Sequence, residues 1–236
     1  MSEQDILNLM HIPSEQLTDL VGYPVQYASN YFVVNDNDAT IRFVSKSESG
    51  YIVPHSLELG KRPKGAIFYI NKNDKDIKNQ KESIDKKKNR LSLGKPAGWD
   101  KINKNKDYEV YFHRGHIIAC SLGGDKEIKG HDYKALKSLF IQTACSNMGK
   151  DVKEEEEEKI NKFSQWHFEK IIKDTVVTES VCMTSRPVYR NKADVIPIGV
   201  HLQAVTKERS LFNVFLPNID PNIVIDYKKC TFKLKK

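Results

Sequence analysis

The chain lacks several features that would assign it to a large class of proteins. Across 236 residues no apolar run approaches the roughly 20 needed to cross a bilayer, so a membrane-spanning helix is excluded and no membrane partner is expected. The opening segment, MSEQDILNLMHIPSEQ, has neither a basic stretch nor an apolar core, so no secretory leader is expected in it. Cysteine is sparse. Cys120, Cys145, Cys182 and Cys230 contain no Cys-x-x-Cys pair, which argues against a zinc cluster, and they do not force a disulfide framework. Small buried thiols are the expected role, including for Cys120 and Cys145. There is no internal repeat and no linker-like stretch.

What is present is a basic, otherwise ordinary globular composition. Hydrophobic residues make up 39% and charged residues 29%, and 38 Lys and Arg against 31 Asp and Glu leave a net charge of +7. A pI near 9.0 favours a polyanionic partner. The length suits one large domain or two small ones. Without a linker the expectation is an N-terminal arm over 1–20, with a short helix from Ser14, followed by a single domain over 21–236. Tyr31 to Val34 and Ala66 to Ile70 read as strands, with a turn at Asn35 to Asp38. Residues 71–107 are rich in Lys and Asn. They read first as a solvated surface and second as a patch for a sugar-phosphate backbone, with Lys86, Lys87, Lys88 and Arg90 as its candidates. Trp99 is placed in packing rather than base stacking.

The chain is organised around the stretch from Tyr108 to Glu155. Its first part, YEVYFHRGHIIACSLGG, reads as a strand ending in Arg-Gly-His. Alternation puts Arg114 and His116 on one face and His113 and Gly115 on the other. A guanidinium beside an imidazole suits a phosphate: the first holds the anion and the second takes a proton from water. The competing reading is a structural histidine at a strand end. A zinc site on His113 and His116 is disfavoured by their odd offset. The second part, SLFIQTACSNMGKDVKEE, reads as the entry of a helix over 144–173, with Ile160, Phe163, His167 and Ile171 at helical spacing. The strand is expected to deliver His116 towards Asn147 at that helix entry, an arrangement suited to metal-assisted phosphodiester hydrolysis. Asn147, Asp151 and Glu155 would share one helix face, which makes both carboxylates candidates for holding metal-bound water. After Asp174 the chain turns to strands: 175–177, 180–183, 195–205, 211–216 and 223–225. The fold class expected is α+β, a central antiparallel sheet with a strand–strand–helix finger over about 106–173 and a long helix packed on it.

HRGHIIACSLGG followed by SLFIQTACSNMG resembles the DNA/RNA non-specific endonucleases, the ββα-metal (His-Me finger) enzymes. The likeness is to bacterial DNases of the streptodornase and DNA-entry nuclease type. It extends over roughly 20–232, through GYPVQYASNYFVVNDND, PAGW, SRPVYRNKADVIPIGVHLQAV and LFNVFLPNIDPNIVIDY. The resemblance implies His116 as general base, Arg114 as its neighbouring arginine, Asn147 as ligand of Mg2+ (with Mn2+ as a substitute) and Glu155 as holder of metal-bound water. It further implies a DNA substrate, with RNA as a second class, 5′-phosphate products, and export from the cell, which the missing leader leaves open between a trimmed chain, another export route and a role inside a cell. A toxin role with an inhibitor or immunity protein is compatible with it. Two residues depart from the family pattern: His113 stands where Asp is usual, and Ser138 where Asn is frequent. His113 is expected to matter little because it lies on the other strand face. These departures are the support for an alternative, a catalytically decayed basic module that binds nucleic acid.

Overall fold

The alternation of Val200, Leu202 and Ala204 with His201 and Gln203 marks a strand with two different faces, and the fold is built around it. A computed structural model describes residues 1–58, 61–74, 94–124, 136–149 and 163–235. Its elements, in chain order, begin with α1 (Glu3–Met10), α2 (Ser14–Val21), β1 (Val25–Tyr27), β2 (Phe32–Val34), β3 (Gly50–Leu57) and β4 (Pro63–Ile70). Then come α3 (Trp99–Ile102), α4 (Tyr108–Tyr111), β5 (Phe112–His116), β6 (Leu139–Thr143), α5 (Ala144–Met148) and α6 (Gln165–Val176). The last are β7 (Val181–Val188), β8 (Gly199–Val205), β9 (Ser210–Pro217), β10 (Ile223–Asp226) and β11 (Thr231–Leu234). Seven strands form one antiparallel sheet in the order β1-β2-β9-β8-β7-β4-β3, and β5-β6 and β10-β11 form separate two-stranded ribbons. The α+β architecture with a central antiparallel sheet is therefore as expected.

Both faces of the sheet are covered. On one, Val200, Leu202, Ala204, Phe212, Val214 and Leu216 pack against Phe168, Ile172 and Val176 of α6, together with Ile117, Ile118 and Phe140 beside the β5-β6 ribbon. The other core joins Ile6, Met10, Leu17 and Val21 to Phe32, Phe215, Phe112 and Ile141. Residues 1–20, expected as an arm, are thus packed into the same core as the ribbon. Apolar residues at helical spacing in α1 and α2 give each helix a face that this packing buries. The α1 helix itself escaped the sequence reading, although Ser2 and Asp5 form a capping box at its start.

Three other expectations are corrected. Residues 108–111 form a helical turn, and the strand begins only at Phe112. The helix expected over 144–173 is interrupted: α5 ends at Met148, with Gly149 at φ +73°, and α6 starts afresh at Gln165 behind the N-cap Ser164. Residues 175–177 are the end of α6 and its cap, not a strand, because Val176 falls on the stripe already occupied by Phe168 and Ile172. Among the described residues no helix is long and apolar enough to cross a membrane.

Candidate active site

The β5-β6 ribbon pairs Phe112 with Thr143, His113 with Gln142, Arg114 with Ile141 and His116 with Leu139. Every residue of β6 is buried, whereas His113, Arg114 and His116 on β5 are half-buried. Gly115 is required by close approach, since a Cβ there would lie 2.7 Å from Gln142 Cβ and closer still to its amide oxygen. Gln142 uses its amide as a tie: Nε2 donates to Gln165 Oε1 at 3.1 Å. Gln165 Nε2 in turn donates to the His116 carbonyl at 2.8 Å and to Glu169 Oε1 at 2.9 Å. The tie runs through the Gln142 NH2 group, its Oε1 being buried without a partner among the described residues. The chain of amides fastens α6 to the end of β5 and fixes the backbone of His116.

Helix α5 is anchored at its first residue. Thr143 Oγ1 accepts from Ser146 N at 3.1 Å and donates to the Ile219 carbonyl at 2.8 Å, and Thr143 N donates to Asn218 Oδ1 at 2.7 Å. Asn218 Nδ2 donates to the carbonyls of Ile141 and Pro197, which ties the ribbon to the loop after β9. Asn147 lies in the last turn of this short, clamped helix. Its Nδ2 stands 3.1 Å from His113 Nδ1. The expected companion of Asn147 was His116, whereas the contact its amide makes is with His113. A five-residue helix turns too few times to carry Asn147 along a continuous face, and the residue it meets is the one across the ribbon. The helix that carries Asn147 ends at Met148, and Asp151 and Glu155, expected to share a helix face with Asn147, lie outside the described residues.

His116 Nε2 stands 3.2 Å from Cys120 Sγ, four residues on. The Arg114 guanidinium lies over the half-buried Trp99 ring, 5.9 Å from its centre, and Tyr108 meets Trp99 edge-on at 5.8 Å. Burial pushes the Glu169 carboxyl up to about 7, against the opposing pull of Gln165 and Lys173. Lys86, Lys87, Lys88 and Arg90 lie outside the described residues. Sequence reasoning missed Gln165, Glu169, Cys120 and the nearness of His113. The one usable signal was Ser164 before Gln165 and Glu169 at i, i+4, a cap followed by two polar groups on one helix face.

Among the described residues no group of three or more His, Cys, Asp or Glu converges as a metal cage. A closed zinc site, which needs about four nitrogen or sulfur ligands, is not assembled among the described residues. The amide oxygen of Asn147 fits a hard, largely hydrated divalent cation, which keeps most of its waters and takes few protein ligands.

No family model matches the chain, and no curated protein sequence matches it. Solved structures do. NucA from Streptococcus agalactiae with magnesium ion bound superposes with a TM-score of 0.70 at 22% identity over 94% of each chain. The same protein with no metal bound gives 0.69 at 22% identity, over 94% of this chain and 95% of that one. Sda1 nuclease with bound zinc ion gives 0.54 at 18% identity, over 86% and 83%. Along nearly its whole length the chain therefore has the fold of NucA and, more distantly, of Sda1 nuclease.

Proposed function

We propose that the chain is a nuclease that hydrolyses phosphodiester bonds of DNA, with RNA as a second substrate class, using one Mg2+ ion for which Mn2+ can substitute. The observation that carries this reading is one ribbon and one short helix holding Arg114, His116 and Asn147, in a fold shared with two nucleases. Asn147 holds the cation through its amide oxygen. When bound, the ion supplies positive charge for the oxygens of the phosphoryl group under attack. His116, neutral, takes the proton from water as the water oxygen bonds to phosphorus. Arg114 holds a non-bridging phosphate oxygen. The P–O3′ bond breaks, the 3′ oxygen leaves and takes a proton from solvent water, the phosphate stays on the 5′ end, and His116 returns its proton to solvent. The amide ties through Gln165 hold His116 in place while it exchanges the proton. Asp151 and Glu155 keep their proposed role of holding metal-bound water, and Glu169 is a further carboxylate joined to the same tie.

Incubation of the protein with plasmid DNA and with total RNA, in Mg2+ or in EDTA, tests the reading. Cleavage in Mg2+ that EDTA stops is the expected result. Asn147→Ala is expected to abolish it, because no other described side chain replaces that oxygen. Binding of DNA without cleavage in either Mg2+ or Mn2+ would instead identify the decayed binding module.

A further inference from the structure

We propose that His113 is the positioning residue of the cation site: its Nδ1 accepts a hydrogen bond from the Asn147 amide and so turns the amide oxygen towards the metal. This rests on the nuclease reading and adds to it a residue that the catalytic steps do not name. The 3.1 Å separation of Asn147 Nδ2 and His113 Nδ1 is a normal hydrogen-bond length. An amide can present either end, and its two ends differ completely to a cation: the oxygen binds it and the NH2 group repels it. Something must choose between them. Within the helix nothing follows to do so, because Met148 is the last helical residue and Gly149 turns left-handed at φ +73°. Among the described residues the polar contact made by the Asn147 side chain is the one to His113.

Both backbones are held independently of this contact. His113 is fixed by its pairing with Gln142, and Asn147 by the Thr143 cap and its Asn218 clamp. What the contact decides is therefore side-chain orientation alone. A ring nitrogen that carries no hydrogen can only accept, so it engages NH2 and leaves the oxygen for the ion. Such outer partners of metal ligands are worth about 10- to 100-fold in metal affinity.

The test uses full-length protein carrying His116→Ala, so that turnover plays no part. Mn2+ binding is titrated by the electron paramagnetic resonance of the free ion, with Mg2+ as competitor, in three further variants. His113→Phe keeps a ring and removes the acceptor. His113→Asn and His113→Asp place an oxygen where Nδ1 stood. The expected result is a loss of about tenfold or more in Mn2+ affinity for Phe, with Asn and Asp close to the parent and all melting temperatures alike. Electron spin-echo modulation of bound Mn2+ is expected to show no directly coordinated imidazole nitrogen. Unchanged affinity in His113→Phe overturns the inference, as does a coordinated nitrogen signal that disappears with His113. If the His116→Ala parent and the unsubstituted chain both fail to bind Mn2+, and the unsubstituted chain also fails to cleave, the nuclease reading falls and this inference with it. A chain that cleaves while His113→Phe binds Mn2+ normally would sink the inference alone.

Discussion

Two places in this molecule set a histidine beside an asparagine, and they are built for opposite ends. In the sheet, His201 is 2% exposed, its Nε2 stands 2.7 Å from Asn213 Oδ1, and Arg186 approaches its Nδ1 at 3.4 Å. Asn213 Nδ2 is committed to the Asp38 carbonyl, so Asn213 offers its oxygen and His201 donates through Nε2. Every polar end is consumed inside the fold. At the ribbon, His113, His116 and Asn147 are half-buried, and the Asn147 oxygen is not consumed by the contact with His113. The same residue types serve structure where burial is complete and, in the function proposed, chemistry where it is partial. A hydrogen-bonding group with nothing left to offer cannot meet a substrate.

The contrast is broken most severely by exchanging activity for stability. His116→Ala is expected to lower cleavage by roughly a hundredfold or more while the melting temperature and DNA affinity hold, since phosphate contacts carry most of the binding. His116→Gly is expected to be partly rescued by added imidazole, more so as pH rises and the free base accumulates. His113 variants are expected not to be rescued, which separates the base from the residue beside Asn147. Cleavage and filter-binding assays on both series decide the matter, and a folded His116→Ala with normal turnover would remove the catalytic side of the comparison.

His201 provides the opposite case. Burial pushes its pKa down to about 4, with the nearby Arg186 charge acting in the same direction against the hydrogen bond to Asn213. The unfolded chain takes up a proton near pH 6.5 that the folded chain refuses until about pH 4. Stability from this group is therefore present above pH 6.5 and lost as pH falls towards 4, by about 3 kcal/mol in all. Urea melts between pH 4 and 7 are expected to show this slope, and His201→Gln is expected to flatten it without changing Mg2+ dependence. An equal slope in the variant would mean that another group titrates.

Glu169 gives the smallest effect and lies between the two cases. With its carboxyl pushed up to about 7 by burial, the folded chain holds a proton between pH 4.5 and 7 that the unfolded chain releases. Its contribution is full below 4.5 and is lost as pH rises through 7. Glu169→Gln keeps an acceptor for Gln165 and removes the charge. Melting temperature is expected to rise slightly at pH 8 and not at pH 5, while cleavage falls. A variant more stable at pH 8 and fully active would assign Glu169 to structure, with His201.

The central elements were legible because they depend on local pattern. Apolar runs between turn residues marked β2 and β4, strand-like stretches marked β8 and β9, and period-two alternation in the Arg-Gly-His run marked the two faces of β5. The helical stripe of Phe168 and Ile172 was equally plain. Errors fell where a tertiary partner overrides the local signal. Residues 108–111 carry aromatic and β-branched side chains that favour a strand, yet they turn helically, with Tyr108 set edge-on against Trp99 and Tyr111 against Phe232 of β11.

The candidate site divides in the same way. By itself the sequence nominated the side chains to which the proposed chemistry is given, because Arg114, His116 and Asn147 have intrinsic donors, acceptors and charge wherever they lie. The early end of α5 was not read from it, although Gly149 tolerates a left-handed backbone at little cost. Only the tertiary structure decided which groups meet. That Asn147 faces His113 depends on the register of β5 with β6 and on a helix that stops after five residues, and that Gln165 holds the His116 carbonyl depends on α6 packing across the sheet. These are contacts between residues 34 and 49 positions apart. Over such separations the geometry of a hydrogen bond is set by packing, and no local preference in the chain encodes it.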